Sequence, residues 1–181
     1  VRKRNILPFL SLVCVFVFGF TSRSTPRVST SADSIESIKA QYAAINKNIN
    51  RYRKVDKDLP GYSSEGGSLI AYFDGNSIKR IDAQFYGEMG LANEEYYYSN
   101  GRLIFVFRKE SNYDRPLSGN IVSTKENRFY FSDASLIRWI DENGRHMSSS
   151  DSDYRTKQNE YLTNSKEFVT LAQSKSKPHS H

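Results

Sequence analysis

The chain has 181 residues, 26 basic and 20 acidic, with one cysteine, twelve tyrosines, eleven phenylalanines and one tryptophan. Its formal charge of +6 is concentrated at the start: beyond residue 24, 22 basic residues face 20 acidic ones, a balance of +2, which removes the electrostatic case for a nucleic-acid partner. Cys14 lies in that leading segment, so the remainder holds neither a disulfide framework nor a thiolate metal site; roughly 145 residues must be stabilised by a packed core.

Arg2, Lys3 and Arg4 precede an apolar run from Ile6 to Phe20 (ILPFLSLVCVFVFGF), interrupted by Pro8, Ser11 and Gly19. A positive cluster before a short apolar stretch is the pattern of a secretory signal peptide, and about 15 residues fall short of a comfortable bilayer span. Val13 ahead of Cys14, and the apolar residues behind it, disfavour lipid attachment; Cys14 reads as a small hydrophobe. The expected location is periplasmic or secreted, with membrane contact only through the N-terminal segment if that segment is not cleaved.

Residues 21–32 (TSRSTPRVSTSA) are polar and read as a flexible leader. Asp33, with Glu36 three residues on, then forms a capping-box pattern. Ile35, Ile38, Tyr42, Ile45, Ile49 and Tyr52 follow at three- and four-residue steps, predicting a long N-terminal helix that Leu59-Pro60-Gly61 ends.

From Ser68 the spacing changes to that of strands. Ser68–Phe73 and Ser77–Tyr86 flank a turn at Asp74-Gly75-Asn76, and Ile81, Ala83 and Phe85 alternate with polar neighbours. After a loop at 87–93, Glu94–Tyr98 and Arg102–Arg108 meet through Ser99-Asn100-Gly101, where Asn-Gly is a strong hairpin signal. Leu103–Phe107 is apolar throughout and reads as a central strand covered on both faces. A twelve-residue loop, 109–120, follows, and then a hairpin of Arg128–Phe131 and Leu136–Ile140. Tyr72-Phe73, Tyr97-Tyr98 and Tyr130-Phe131 each precede a turn and an aliphatic residue, a weak repeat of irregular spacing that fits a meander of hairpins. Asp151 opens a second helix to about Gln173, and Ser174–His181 is polar.

The expected fold is therefore α+β: an antiparallel meander of about six strands with a long N-terminal and a shorter C-terminal helix packed on it. The expected boundaries are a signal peptide at 1–24, a flexible leader at 25–32, one domain at 33–173 and a disordered tail at 174–181.

The segments YFDGNSIKRI, EEYYYSNGRLIFVFR and RFYFSDASLIRWID, behind the helix IESIKAQYAAINKNINRYR, resemble a family of uncharacterised exported bacterial proteins that pair an N-terminal helix with an aromatic-rich meander. The resemblance covers roughly residues 33–142 and implies compartment and fold, with no catalytic residue carried over. YYSNGRLIFVF is also similar, weakly, to the strand-turn-strand unit of MORN-type repeats, without their regular period.

Motifs for chemistry are sparse. His146, His179 and His181 form no closed ligand set, and Gly-x-Ser-x-Gly, His-Glu-x-x-His and phosphate-loop patterns are absent from the sequence. No cofactor or metal is expected, and an enzyme is disfavoured. Asp82, Glu88, Glu94 and Glu95 lie on or beside adjacent strands, and a converging pair would suit a cell-wall or glycan hydrolase. The residues expected to meet a ligand or partner are Arg108, Tyr113 and Arg115, which offer guanidinium forks and a phenol around the long loop, and Tyr96 and Tyr98, which share one face of an aromatic strand. The leading expectation is an exported, non-catalytic domain binding an envelope protein or glycan. Self-association through the first helix is the other alternative.

Overall fold

The computed structural model describes residues 31–174, with only the backbone of 31–33. The expected signal peptide with Cys14, most of the leader, the tail beyond Ser174 and the capping side chain of Asp33 lie outside the described residues. Seven strands form one antiparallel sheet in chain order: β1 (Arg53–Asp58), β2 (Gly67–Asp74), β3 (Ser77–Gly87), β4 (Gly90–Ser99), β5 (Arg102–Tyr113), β6 (Ile121–Ser132) and β7 (Ser135–Ile140). One helix packs on each face, α1 (Ser31–Lys47) and α2 (Ser152–Gln173).

The α+β meander is thus present, with seven strands in place of six, and the difference arises where the first helix was expected to continue. Its ordered turns end at Lys47; the Asn48 amide folds back onto the Ala44 carbonyl (2.8 Å), and a single 3-10 turn, Ile49–Arg51, leads into β1. β1 reads RKVDKD, so its one apolar side chain gives no alternation to detect, and backbone pairing with β2 defines it. Leu59-Pro60-Gly61 therefore closes a strand, and Leu59 is fully buried. The C-terminal helix has 22 residues, and α1 spans 17 of the described residues.

Both expected loops shrink. The stretch 87–93 is a two-residue turn at Glu88-Met89, and 109–120 reduces to 114–120 because β5 runs on to Tyr113. These extensions are mostly polar, so register there rests on the backbone ladder without an apolar face to mark it.

The three aromatic pairs have a common structural cause. Tyr72/Phe73, Tyr97/Tyr98 and Tyr130/Phe131 each sit at a register shift, opposite strands that carry one extra residue: Lys79, Ile104 and Ile137. Each bulged hairpin sends its two aromatics to opposite faces. Phe73, Tyr98 and Phe131 enter the larger core under α2, with Tyr161 and Phe168, while Tyr97 and Tyr130 enter the smaller core under α1, with Ile35, Ile38 and Ile45. β5 is covered on both sides, Val106 toward α2 and Phe105 toward α1.

Candidate functional site

Alternation along β4 decides where its charged and phenolic groups go. Glu94, Tyr96 and Tyr98 face α2; Glu95 and Tyr97 face α1. Glu94 stands opposite Arg108 in the β4–β5 register, and the Arg108 guanidinium donates to it and, at 2.7 Å, to Glu110. The Tyr96 hydroxyl also donates to Glu94. Burial raises the Glu94 carboxyl above the ordinary glutamate range, outweighing the opposing pull of Arg108. Tyr98 meets the Ser165 hydroxyl of α2 at 3.1 Å, and burial pushes its phenol upward.

Tyr96 and Tyr98, expected among the residues that meet a ligand or partner, are core residues beneath α2, and Arg108 is the counter-charge of a buried carboxylate. A long helix after a polar loop gives little sign of which sheet face it covers.

On the α1 side, Arg80 organises a second polar cluster. Its guanidinium pairs with Asp82, reaches Glu95 at 2.9 Å and donates to Asn46 of α1 at 2.7 Å. Tyr97 donates to Glu95 at 2.5 Å, and the Tyr72 phenol, buried beside Asp82, is pushed up to about 12. Asp82 and Glu95 are cross-strand neighbours, but both already engage Arg80. Of the four carboxylates weighed as a catalytic pair, Glu94 lies on the opposite face and Glu88 in the β3–β4 turn. A shallow cleft of about 320 Å³ beyond α1 is lined in part by Asp82, Gln84, Asn93, Glu95, Phe107 and Lys109.

The remaining candidates meet at the far end of the sheet. Loop 114–120 is drawn tight by Asp114, whose carboxylate accepts from Ser118 (2.5 Å) and Asn120 (3.4 Å); the Ser118 bond holds the Asp114 carboxyl below its usual value. The loop is pinned to the β3–β4 turn: the Leu117 N–H donates to the Glu88 carbonyl at 2.7 Å, and the Tyr113 N–H to the Met89 carbonyl at 2.8 Å. Arg115 is exposed, and its carbonyl accepts from the Ser118 N–H at 3.3 Å.

Around this junction lie large apolar side chains in water: Leu117 (70 % exposed), Val122 (64 %), Ile121 (56 %) and Met89 (50 %). Leu117 also has a left-handed backbone, φ +56°, which costs a non-glycine residue roughly 1–2 kcal/mol. Sequence reasoning missed these four. The available signal was an apolar residue in a Pro/Ser/Gly loop, RPLSGN, directly followed by Ile-Val.

No family model, no curated protein and no solved structure matches the chain. The functional reading therefore rests on the residues themselves. Among the described residues, no three His, Cys, Asp or Glu side chains are grouped to hold a metal ion, and no helix is long and apolar enough to cross a membrane.

Proposed function

We propose that the chain is an exported, non-catalytic binding domain that meets another cell-envelope component through the loop end of its sheet. The observation that carries this reading is Leu117, an exposed leucine on a left-handed backbone. Nothing within the fold offsets that conformational cost through burial, and strain of this kind persists where the surroundings enforce it, often at contact sites. The Ser118 N–H bond to the Arg115 carbonyl closes a turn around Leu117, the Leu117 N–H bond to Glu88 ties that turn to the sheet, and Met89 widens the apolar surface beside it. Tyr113 precedes this loop and Arg115 lies within it; they supply the aromatic and guanidinium groups that anchor interfaces. Export is supported by Arg2, Lys3, Arg4 and the apolar run Ile6–Phe20.

The test is capture of envelope components by the intact protein and by Leu117→Asp, compared in parallel. Loss of a captured component in the variant, with circular dichroism unchanged, is the expected result. Equal capture by both proteins would move the contact elsewhere.

A further inference from the structure

Beside α1, a pocket of about 210 Å³ opens over β5 and β6. Four rings line it: Tyr42 from α1, Phe105 and Phe107 from β5, and Tyr130 from β6. Tyr42 meets Phe105 edge-on with centroids 5.5 Å apart, and Phe105 meets Tyr130 at 4.8 Å, so the aromatic wall is continuous. An apolar cavity of about 150 Å³ takes a benzene, whereas drug-sized ligands fill about 300 Å³ or more. This pocket therefore suits one ring carrying a short arm.

The polar groups around it set the chemistry of that arm. Both charged side chains lining the pocket are cations, Lys39 and Arg128, and the Arg128 guanidinium lies 5.2 Å from the Phe107 ring centre. Each has an acid partner, Glu36 and Glu126, but these pairs are solvent-exposed and yield readily to a competing anion. Arg138 stands opposite Tyr130 in the β6–β7 register, hence on the same face, and makes no ion pair among the described residues. Glu36 supports the charge of Lys39 while Arg138 opposes it, so an anion between the two cations relieves their repulsion. Tyr130 is only 6 % exposed, yet its hydroxyl makes no hydrogen bond among the described residues. A phenol so deeply set ordinarily finds a partner, and the pocket is where one fits.

We infer that this pocket binds a single-ring aromatic carboxylate. The ring packs among Tyr42, Phe105 and Phe107, and the carboxylate accepts from the Tyr130 hydroxyl, with the flanking cations adding charge. None of these residues belongs to the Leu117 loop, so this inference and the proposed envelope contact fail separately.

Titration of the intact, isotope-labelled protein with phenylacetate, followed through its amide resonances, tests the inference. The expected result is saturable shifts confined to residues around the pocket, with a Kd of about 1 mM or tighter. Phenylacetamide, of the same shape without the charge, binds about ten-fold more weakly. Tyr130→Phe keeps the ring and loses the donor, weakening phenylacetate about ten-fold; Arg138→Met weakens it about three-fold. Unchanged resonances on the α2 face show that both variants keep the fold. Absence of saturable shifts, equal binding of the amide, or wild-type affinity in Tyr130→Phe would overturn the assignment.

Discussion

Glu94 and Arg108 face each other across β4 and β5 beneath α2, and only 1 % of the Glu94 side chain is accessible. Removing one partner of such a pair leaves the other charge buried without compensation, which costs about 3–5 kcal/mol. Arg108→Met is therefore expected to lower the unfolding free energy by about that amount at neutral pH. The double variant Glu94→Gln/Arg108→Met recovers most of the loss. Urea denaturation of wild type, both single variants and the double variant completes the cycle; additive losses would show that the two groups are uncoupled.

The same site gives stability a pH dependence. Burial raises the Glu94 carboxyl in the folded state, so its contribution is fully present below the unfolded pKa and is lost as pH rises through the folded one. Relative to Glu94→Gln, the wild type should become progressively less stable as pH climbs above the ordinary glutamate range. The penalty of Arg108→Met should grow over the same interval. A stability difference between wild type and Glu94→Gln that is flat with pH would remove Glu94 as the titrating group.

Ala134 occupies the second position of the β6–β7 turn with φ +60°, after Asp133 at +48°. Asn100 and Gly101 fill the matching positions of the β4–β5 turn at +50° and +74°, the residues that such turns favour. Ala134→Gly should stabilise the protein by about 0.5–1 kcal/mol, since relief of the left-handed strain exceeds the added chain entropy of glycine. Gly101→Ala should do the reverse. Thermal unfolding of both variants checks the pair of signs.

Much of the sheet is legible in sequence because its chemistry is local. Asn100-Gly101 names its turn, and the alternation of Ile81, Ala83 and Phe85 marks the buried face. The aromatic pairs announce three hairpins, although the bulges that give them a common form appear only in the register. β1 is illegible because its side chains are charged and its pairing is entirely backbone. The candidate residues divide on the same principle. Tyr96 and Tyr98 are displaced into the core by α2, which begins more than fifty residues later and leaves no mark on β4. Arg108 has Glu110 two residues away in the chain, a local partner, but its tie to Glu94 depends on strand pairing.

Tyr161 supplies a contrast within the α2 core. Its hydroxyl is buried and has no hydrogen-bond partner among the described residues, while Tyr98 has Ser165. Tyr161→Phe should therefore leave stability unchanged or raise it by about 1 kcal/mol, whereas Tyr98→Phe should lower it by about 1 kcal/mol. Denaturant midpoints at constant slope separate the two cases.

Leu117 separates stability from binding, because glycine at that position relieves the left-handed strain and deletes the exposed side chain together. Leu117→Gly is expected to unfold at an equal or higher temperature than wild type and to capture less partner. A variant that loses stability along with binding would make Leu117 a structural residue.

The most direct measurement is site-specific photo-crosslinking in intact cells, with the reactive group at position 117 or, at the opposite end of the sheet, at position 133. The account predicts a discrete adduct with an envelope component from position 117 and none from 133. Adducts of equal yield from both positions, or none from 117, would contradict it.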